Sequence, residues 1–200
     1  GQFEISTPDG DLGGSGGGGG GAGGAGGGGS GGGGGAGGGG GGCCCLIKGT
    51  LIDTSIGKRK IEDIKIGDEV IAFDFENNKK VSVKVLELIR PIREGIFIIN
   101  NGLIKLTDDH PLFVKKKSGI IGWAAINNLH SMKNIENSEK IKKLEVGDKY
   151  LYEDGEWIEI NSIDYEEGDL QTFNLKRLEN YNNFYANGFL TRDISVHTRR

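Results

Sequence analysis

Three consecutive cysteines, Cys43-Cys44-Cys45, are the only thiols of the chain, and their placement limits what they can do. Adjacent cysteines lack the spacing with which Cys-x-x-Cys pairs wrap zinc, and no second ligand pair follows. A disulfide between neighbours is strained, and an odd number cannot pair fully within one chain. Lipidation would call for a basic or apolar anchor beside the cluster, and none flanks it. Nucleophilic chemistry remains. A thiol can attack the carbonyl of the residue before it and turn the peptide bond into a thioester. The amide nitrogen that leaves must pick up a proton, so a general acid has to stand beside it. Of the three histidines, His130 and His197 sit in no pattern and read as surface residues.

The cysteines also mark a seam in composition. Of 200 residues 38 are glycine, and 25 of these fall within Gly13–Gly42. Segment 1–42 has no Lys, Arg or His and no apolar side chain larger than Ala within its glycine run, so that run cannot bury a core. It reads as a flexible linker. The sharper alternative is a bundle of extended polyglycine helices, with Ala22, Ser30 and Ala36 as weak turn markers. Strict Gly-X-Y is absent, which excludes collagen. The remainder is long enough for one ordinary core. Its 24 basic residues meet 25 of the chain's 28 acids, the other three being Glu4, Asp9 and Asp11. That balance argues against a nucleic-acid partner held by bulk charge, though not against a local patch. No stretch approaches the roughly 18–20 apolar residues of a membrane span. Gly1-Gln2-Phe3-Glu4 is no signal peptide, and the missing Met reads as a fragment of a longer protein.

The elements that must position the thiols are strands. Short β-branched runs such as Val70–Phe73, Val81–Ile89, Ile96–Ile99, Leu103–Leu106, Leu112–Val114, Trp157–Ile163, Leu170–Leu175 and Phe184–Ala186 alternate with Gly and Asn turns. Asn101-Gly102 signals a hairpin. One-turn helical pieces are expected only near Ile61–Ile64 and Ala124–Leu129, a turn at Glu167-Gly168, and a solvated hairpin tip at Lys115-Lys116-Lys117. Ile61–Ile71 and Ile141–Leu151 share the frame apolar-x-x-apolar-x-apolar-Gly-Asp-x-x-apolar at an offset of 80 residues. This points to two related halves and an all-β, pseudo-two-fold domain.

At this point the sequence becomes recognisable. Cys45-Leu46-Ile47-Lys48-Gly49-Thr50, followed by Ile61–Val70, resembles the opening of inteins and bacterial intein-like domains, members of the Hint (hedgehog/intein) superfamily. Gly102–Val114 resembles the family's Thr-x-x-His motif, and Asn182–Leu190 its last motif. The resemblance covers Cys45 to about Asp193 and implies a horseshoe-like β domain over 43–193, between the flanks 1–42 and 194–200. It implies that Cys45 is the nucleophile and Cys44 supplies the carbonyl, because Gly-Thr follows Cys45 at the family's spacing. It assigns the general acid to His110 and orientation of the scissile amide to Thr107. Asp109 could instead orient His110 or raise its pKa. Backbone N–H groups would hold the oxyanion.

The end of the chain departs from the pattern. A splicing intein closes on His-Asn followed by Cys, Ser or Thr, whereas here Arg192-Asp193 precedes Ile194. Arginine cannot shuttle a proton at neutral pH, and an ionised Asp193 carboxylate offers no amide nitrogen for cyclisation. Full splicing is therefore not expected, and Asp193 is the residue on which any C-terminal step would turn. The implied activity is single-turnover cleavage in cis at Cys44–Cys45, with water or an external amine or thiol as acceptor. It uses no cofactor and no metal, and processing would occur in the cytoplasm. The alternative is a decayed Hint domain kept as a structural or interaction module of a glycine-rich phage-tail-like or adhesin protein. A homing endonuclease does not fit between Val114 and Lys149.

Overall fold

The computed structural model describes residues 44–133 and 140–192. Segment 1–43 with its glycine run, His197, Asp193 and the flank 194–200 lie outside the described residues, and so do the readings placed on them. The first half runs β1 (Leu46–Ile47), β2 (Leu51–Thr54), β3 (Gly57–Lys60), β4 (Glu69–Asp74), β5 (Lys79–Ile89), β6 (Ile92–Ile99) and β7 (Ile104–Leu106). The second runs β8 (Leu112–Lys115), β9 (Ile121–Ala125), the short helix α1 (Asn128–Lys133), β10 (Lys142–Lys143), β11 (Lys149–Leu151), β12 (Trp157–Glu159), the long β13 (Ile163–Leu178), β14 (Asn183–Ala186) and β15 (Phe189–Arg192). Apart from α1 and two 3₁₀ turns, at Ile61–Asp63 and Asn100–Gly102, the domain is all-β.

The repeated sequence frame is a repeated structure. Gly67 and Gly147 both take φ +91°, a conformation that favours glycine. Each is followed by an Asp that closes the turn on itself. Asp68 Oδ2 accepts from the Lys65 amide at 2.9 Å, and Asp148 Oδ2 from the Glu145 amide at 2.8 Å. Each turn is then clamped to a residue farther along the chain. Gly67 donates to the Val85 carbonyl and Val85 to that of Asp68, while Gly147 donates to Ile160 and Ile160 to Asp148. A basic side chain covers each Asp, Arg59 in the first half and Lys116 in the second.

The halves meet at the last hairpin. β14 pairs with β2 (Ala186↔Ile52) and β15 with β8 (Thr191↔Leu112), so β14–β15 lies between the equivalent strands of the two halves. Being central, it is buried on both faces. Phe184, Ala186 and Phe189 enter the main core with Leu46, Ile52, Leu106 and Tyr150, while Tyr185 and Leu190 enter a second cluster with Phe73, Phe113 and Trp123. Each fully buried large apolar side chain contributes about 1.5–3 kcal/mol.

Four local expectations change. The Asn101-Gly102 hairpin is present, but its connection is Asn100–Leu103, with Ile99 opposite Ile104 and three successive residues at positive φ. Glu167-Gly168 is no turn: β13 runs through it with a register shift between Glu167 and Leu170, and Gly168 at φ +149° absorbs the extra residue. Ala124 and Ala125 belong to β9, which pairs with β8 and β10, and their side chains enter the two core clusters, Ala124 the main one and Ala125 the second; the helix starts at Asn128. Of the lysine tip, Lys116 is not solvated: its ammonium is bound to Glu145, to the fully buried Asp148 and to the Lys143 carbonyl.

Candidate functional site

The Gly-Thr after Cys45 is a turn device. Gly49 sits at φ +88°, and the Thr50 amide and hydroxyl both donate to the Ile47 carbonyl, at 3.2 and 2.7 Å. The turn sends β1 back between two other strands: Leu46 pairs with Leu106 of β7 and with Phe173 of β13. That register brings Thr107, one residue past β7, opposite Cys45. The Cys45 amide donates to Thr107 Oγ1 at 2.9 Å, and the Thr107 amide returns a bond to the Cys45 carbonyl at 2.9 Å. The N–H of the Cys44–Cys45 peptide is thus held by a side chain from the middle of the chain.

The Thr107–His110 segment is a tight turn, closed by His110 N–H to the Thr107 carbonyl at 3.1 Å. Thr107 accepts from Cys45 with the same oxygen whose proton it donates to Asp109 Oδ1, at 2.6 Å. Asp109 is therefore joined to Thr107 and not to the His110 ring. Its second oxygen is buried with no partner among the described residues. His110 is fully buried. Neither ring nitrogen has a partner in hydrogen-bonding geometry among the described residues, yet the Cys44 backbone is close enough to favour the protonated ring. Burial outweighs this and pushes the His110 pKa down to about 3. The imidazole is neutral at physiological pH, with one nitrogen free to take a proton.

Cys44 and Cys45 are both fully buried, reduced thiols. The Cys44 sulfur lies between two polar groups: the Asn174 amide donates to it at 3.6 Å, and its S–H points to the Arg192 carbonyl at 3.9 Å. Cys44 therefore packs inside the domain, next to the end of β15. Arg192 is itself buried, its guanidinium 5.5 Å from the centre of the Trp123 ring. Asp193 follows outside the described residues.

Three contributing residues escaped sequence reasoning. Asn127 and Ser131 strap the Thr107–His110 turn from α1 and the connection before it: Asn127 bonds Asp108 through backbone and side chain, and the Ser131 hydroxyl caps the Asp109 carbonyl. Nothing in their local sequence distinguishes them. Asn174 did carry a signal, as an amide set between Phe173 and Leu175 in the middle of an apolar strand, where a buried polar group needs a partner.

No family model matches the sequence, and no curated protein matches it. Solved structures do. The bacterial intein-like domain from Clostridium thermocellum is 27% identical, with a TM-score of 0.59 over 74% of this chain and 97% of that one. The DnaB intein from Synechocystis sp. PCC 6803 superposes with a TM-score of 0.55 at 19% identity, over 76% of this chain and 99% of its own. The PabCDC21-1 intein does so with 0.56 at 19% identity, over 74% and 98%. The folded part of the chain has the Hint fold of inteins and intein-like domains. In this Hint domain the start of β1, the Thr107–His110 turn, Asn174 and the end of β15 converge on one peptide bond, and the domain carries at that bond two thiols, a neutral imidazole and a hydroxyl–carboxylate pair.

Proposed function

We propose that the Hint domain cleaves its own backbone between Cys44 and Cys45 by an N-to-S acyl shift. The Cys45 thiol adds to the Cys44 carbonyl carbon and forms the C–S bond while its proton passes to the neutral His110. Collapse of the tetrahedral intermediate breaks the bond from the Cys44 carbonyl carbon to the Cys45 nitrogen. The imidazolium, a strong acid because its site disfavours charge, gives the same proton to that nitrogen. The products are a thioester on Cys45 Sγ and a free Cys45 amine. Thr107 contributes through the 2.9 Å bond it accepts from the Cys45 N–H, the observation that carries the reading. As the nitrogen is protonated its N–H groups become stronger donors. The Thr107–Asp109 chain is an acceptor, so its hold tightens in the transition state more than in the ground state. Water, or an external amine or thiol, then resolves the thioester.

The domain acts in cis, and the C-terminal half of splicing is absent from the scheme. Arg192 packs on Trp123 where a proton-shuttling imidazole would stand, and the Asp193 carboxylate cannot cyclise as an amide does. That same packing favours the second reading, a decayed Hint domain retained as a structural module of a glycine-rich, adhesin- or phage-tail-like protein. Hydroxylamine separates the two. Self-processing yields an N-terminal fragment ending in a Cys44 hydroxamate, unaffected by Asp193→Ala, abolished by Cys45→Ala and slowed about 10²–10⁴-fold by His110→Ala. A chain from which hydroxylamine releases nothing is the decayed module.

A further inference from the structure

The second half of the domain holds a cationic cleft that the acyl shift does not use. It has a volume of about 310 Å³ and is lined by Lys115, Lys117 and Lys149 with Gly119, Gly147 and Trp157. Lys116 also reaches it, but that ammonium is committed to Asp148 and Glu145. Among the described residues the other three lysines have no ion pair, and no acidic side chain lines the cleft. Two acids stand nearby without forming an ion pair with these three: Glu159 faces Lys149 from the neighbouring strand, and Glu145, bound to Lys116, is close enough to Lys117 to feel its charge.

Two features bring the three lysines together. Lys115 of β8 lies directly opposite Lys149 of β11, and like charges directly opposed across a pair of strands are destabilising. The first half has no such pairing: at the equivalent place Ser55 donates its amide to Glu69, one neutral residue and one acid. Lys117 is drawn in as well. Its stem lies across Gly147 so closely that a Cβ there would come within 2.1 Å of the Lys117 Cε, whereas at the equivalent Gly67 a Cβ would meet nothing within 4 Å. The second half thus brings three lysines to the lining of one cleft, whereas the first half has Ser55 and Glu69 at the places of Lys115 and Lys149, in a chain whose net charge is −4.

We infer that this cleft binds a polyphosphate group. Lysine meets phosphate as a point charge, and three ammonium groups around one cleft call for an anion carrying several charges. The volume lies at the lower end of the range for small-molecule sites, which favours a compact ligand over a macromolecular partner. Trp157 offers an aromatic face beside the charges, so the group can arrive as free polyphosphate or as part of a nucleotide.

Calorimetric titration of the full-length chain at about 0.15 M salt, with tripolyphosphate, ATP and adenosine as separate ligands, tests this. Tripolyphosphate and ATP should saturate one site with a dissociation constant below about 1 mM. Tighter ATP binding identifies the nucleotide as the source, and equal binding identifies polyphosphate. Lys115→Gln and Lys149→Gln should each weaken binding about tenfold, and Lys65→Gln, at an exposed position outside the cleft, should leave it unchanged. These are surface substitutions, and circular dichroism verifies that each variant is folded. Absence of saturable binding, adenosine binding as tightly as ATP, or equal weakening by Lys65→Gln would overturn the inference.

Discussion

Thr107 Oγ1 stands between the Cys44–Cys45 amide, whose N–H it accepts, and the Asp109 carboxylate, to which it gives its own proton. This leaves His110 without a carboxylate partner, in a site that keeps it neutral. The consequence for stability follows from linkage. An unfolded imidazole titrates near 6.5 and the folded His110 near 3. Below pH 6.5 the unfolded chain binds a proton that the folded domain does not, so the contribution of His110 is intact above pH 6.5 and is lost as the pH falls from 6.5 toward 3. The slope reaches about 1.4 kcal/mol per pH unit. Urea unfolding of the Cys45→Ala protein at pH 7 and pH 5 should show this loss, reduced by one proton's worth in the Cys45→Ala, His110→Gln double variant. Identical slopes would contradict the neutral imidazole. Cys44 makes a second residue-level demand. Its side chain fills a closed place between Asn174 and Arg192, so Cys44→Ala and Cys44→Ser should still release the N-terminal segment. Cys44→Phe, which overpacks the place at a cost of about 1–3 kcal/mol, should slow release at least tenfold. Equal rates for Ala and Phe, compared by gel densitometry, would show that the domain does not read position 44.

At the scale of elements, the two Gly-Asp turns do the same job with unequal burial. The Asp148 side chain is 0% exposed, whereas that of Asp68 is 28% exposed. Asp148→Ala leaves the Glu145 amide without its acceptor and takes from the Lys116 ammonium its one fully buried partner, and should cost about 3 kcal/mol. Asp68→Ala, in a half-solvated pair, should cost about 1 kcal/mol. Denaturant midpoints at constant m-value measure both, and equal losses would contradict the burial difference. These turns were also the most legible part of the sequence, because a glycine at positive φ and an Asp that folds back on its own loop leave a local mark that repeats at a fixed offset. Thr107 and His110 were legible for a similar reason, lying in one tight turn. Less legible were features set by distant strands. The bulge at Gly168 depends on pairing with β6, Asn174 on the arrival of Cys44 from the other end of the chain, and Lys116 on an Asp 32 residues away.

For the whole molecule, the pseudo-two-fold arrangement is what makes a single site out of remote segments. The β14–β15 hairpin lies between the halves, and its end meets the residue before β1, so the first and last described parts of the domain touch at Cys44 and Arg192. Splicing would use both ends of that contact, and the proposed acyl shift uses the first. The most direct measurement is the intact mass of the full chain after incubation with dithiothreitol at neutral pH. Cleavage by Cys45 predicts two species, one ending at Cys44 and one beginning at Cys45, and none from Cys45→Ala. A single full-length mass after prolonged incubation would contradict it.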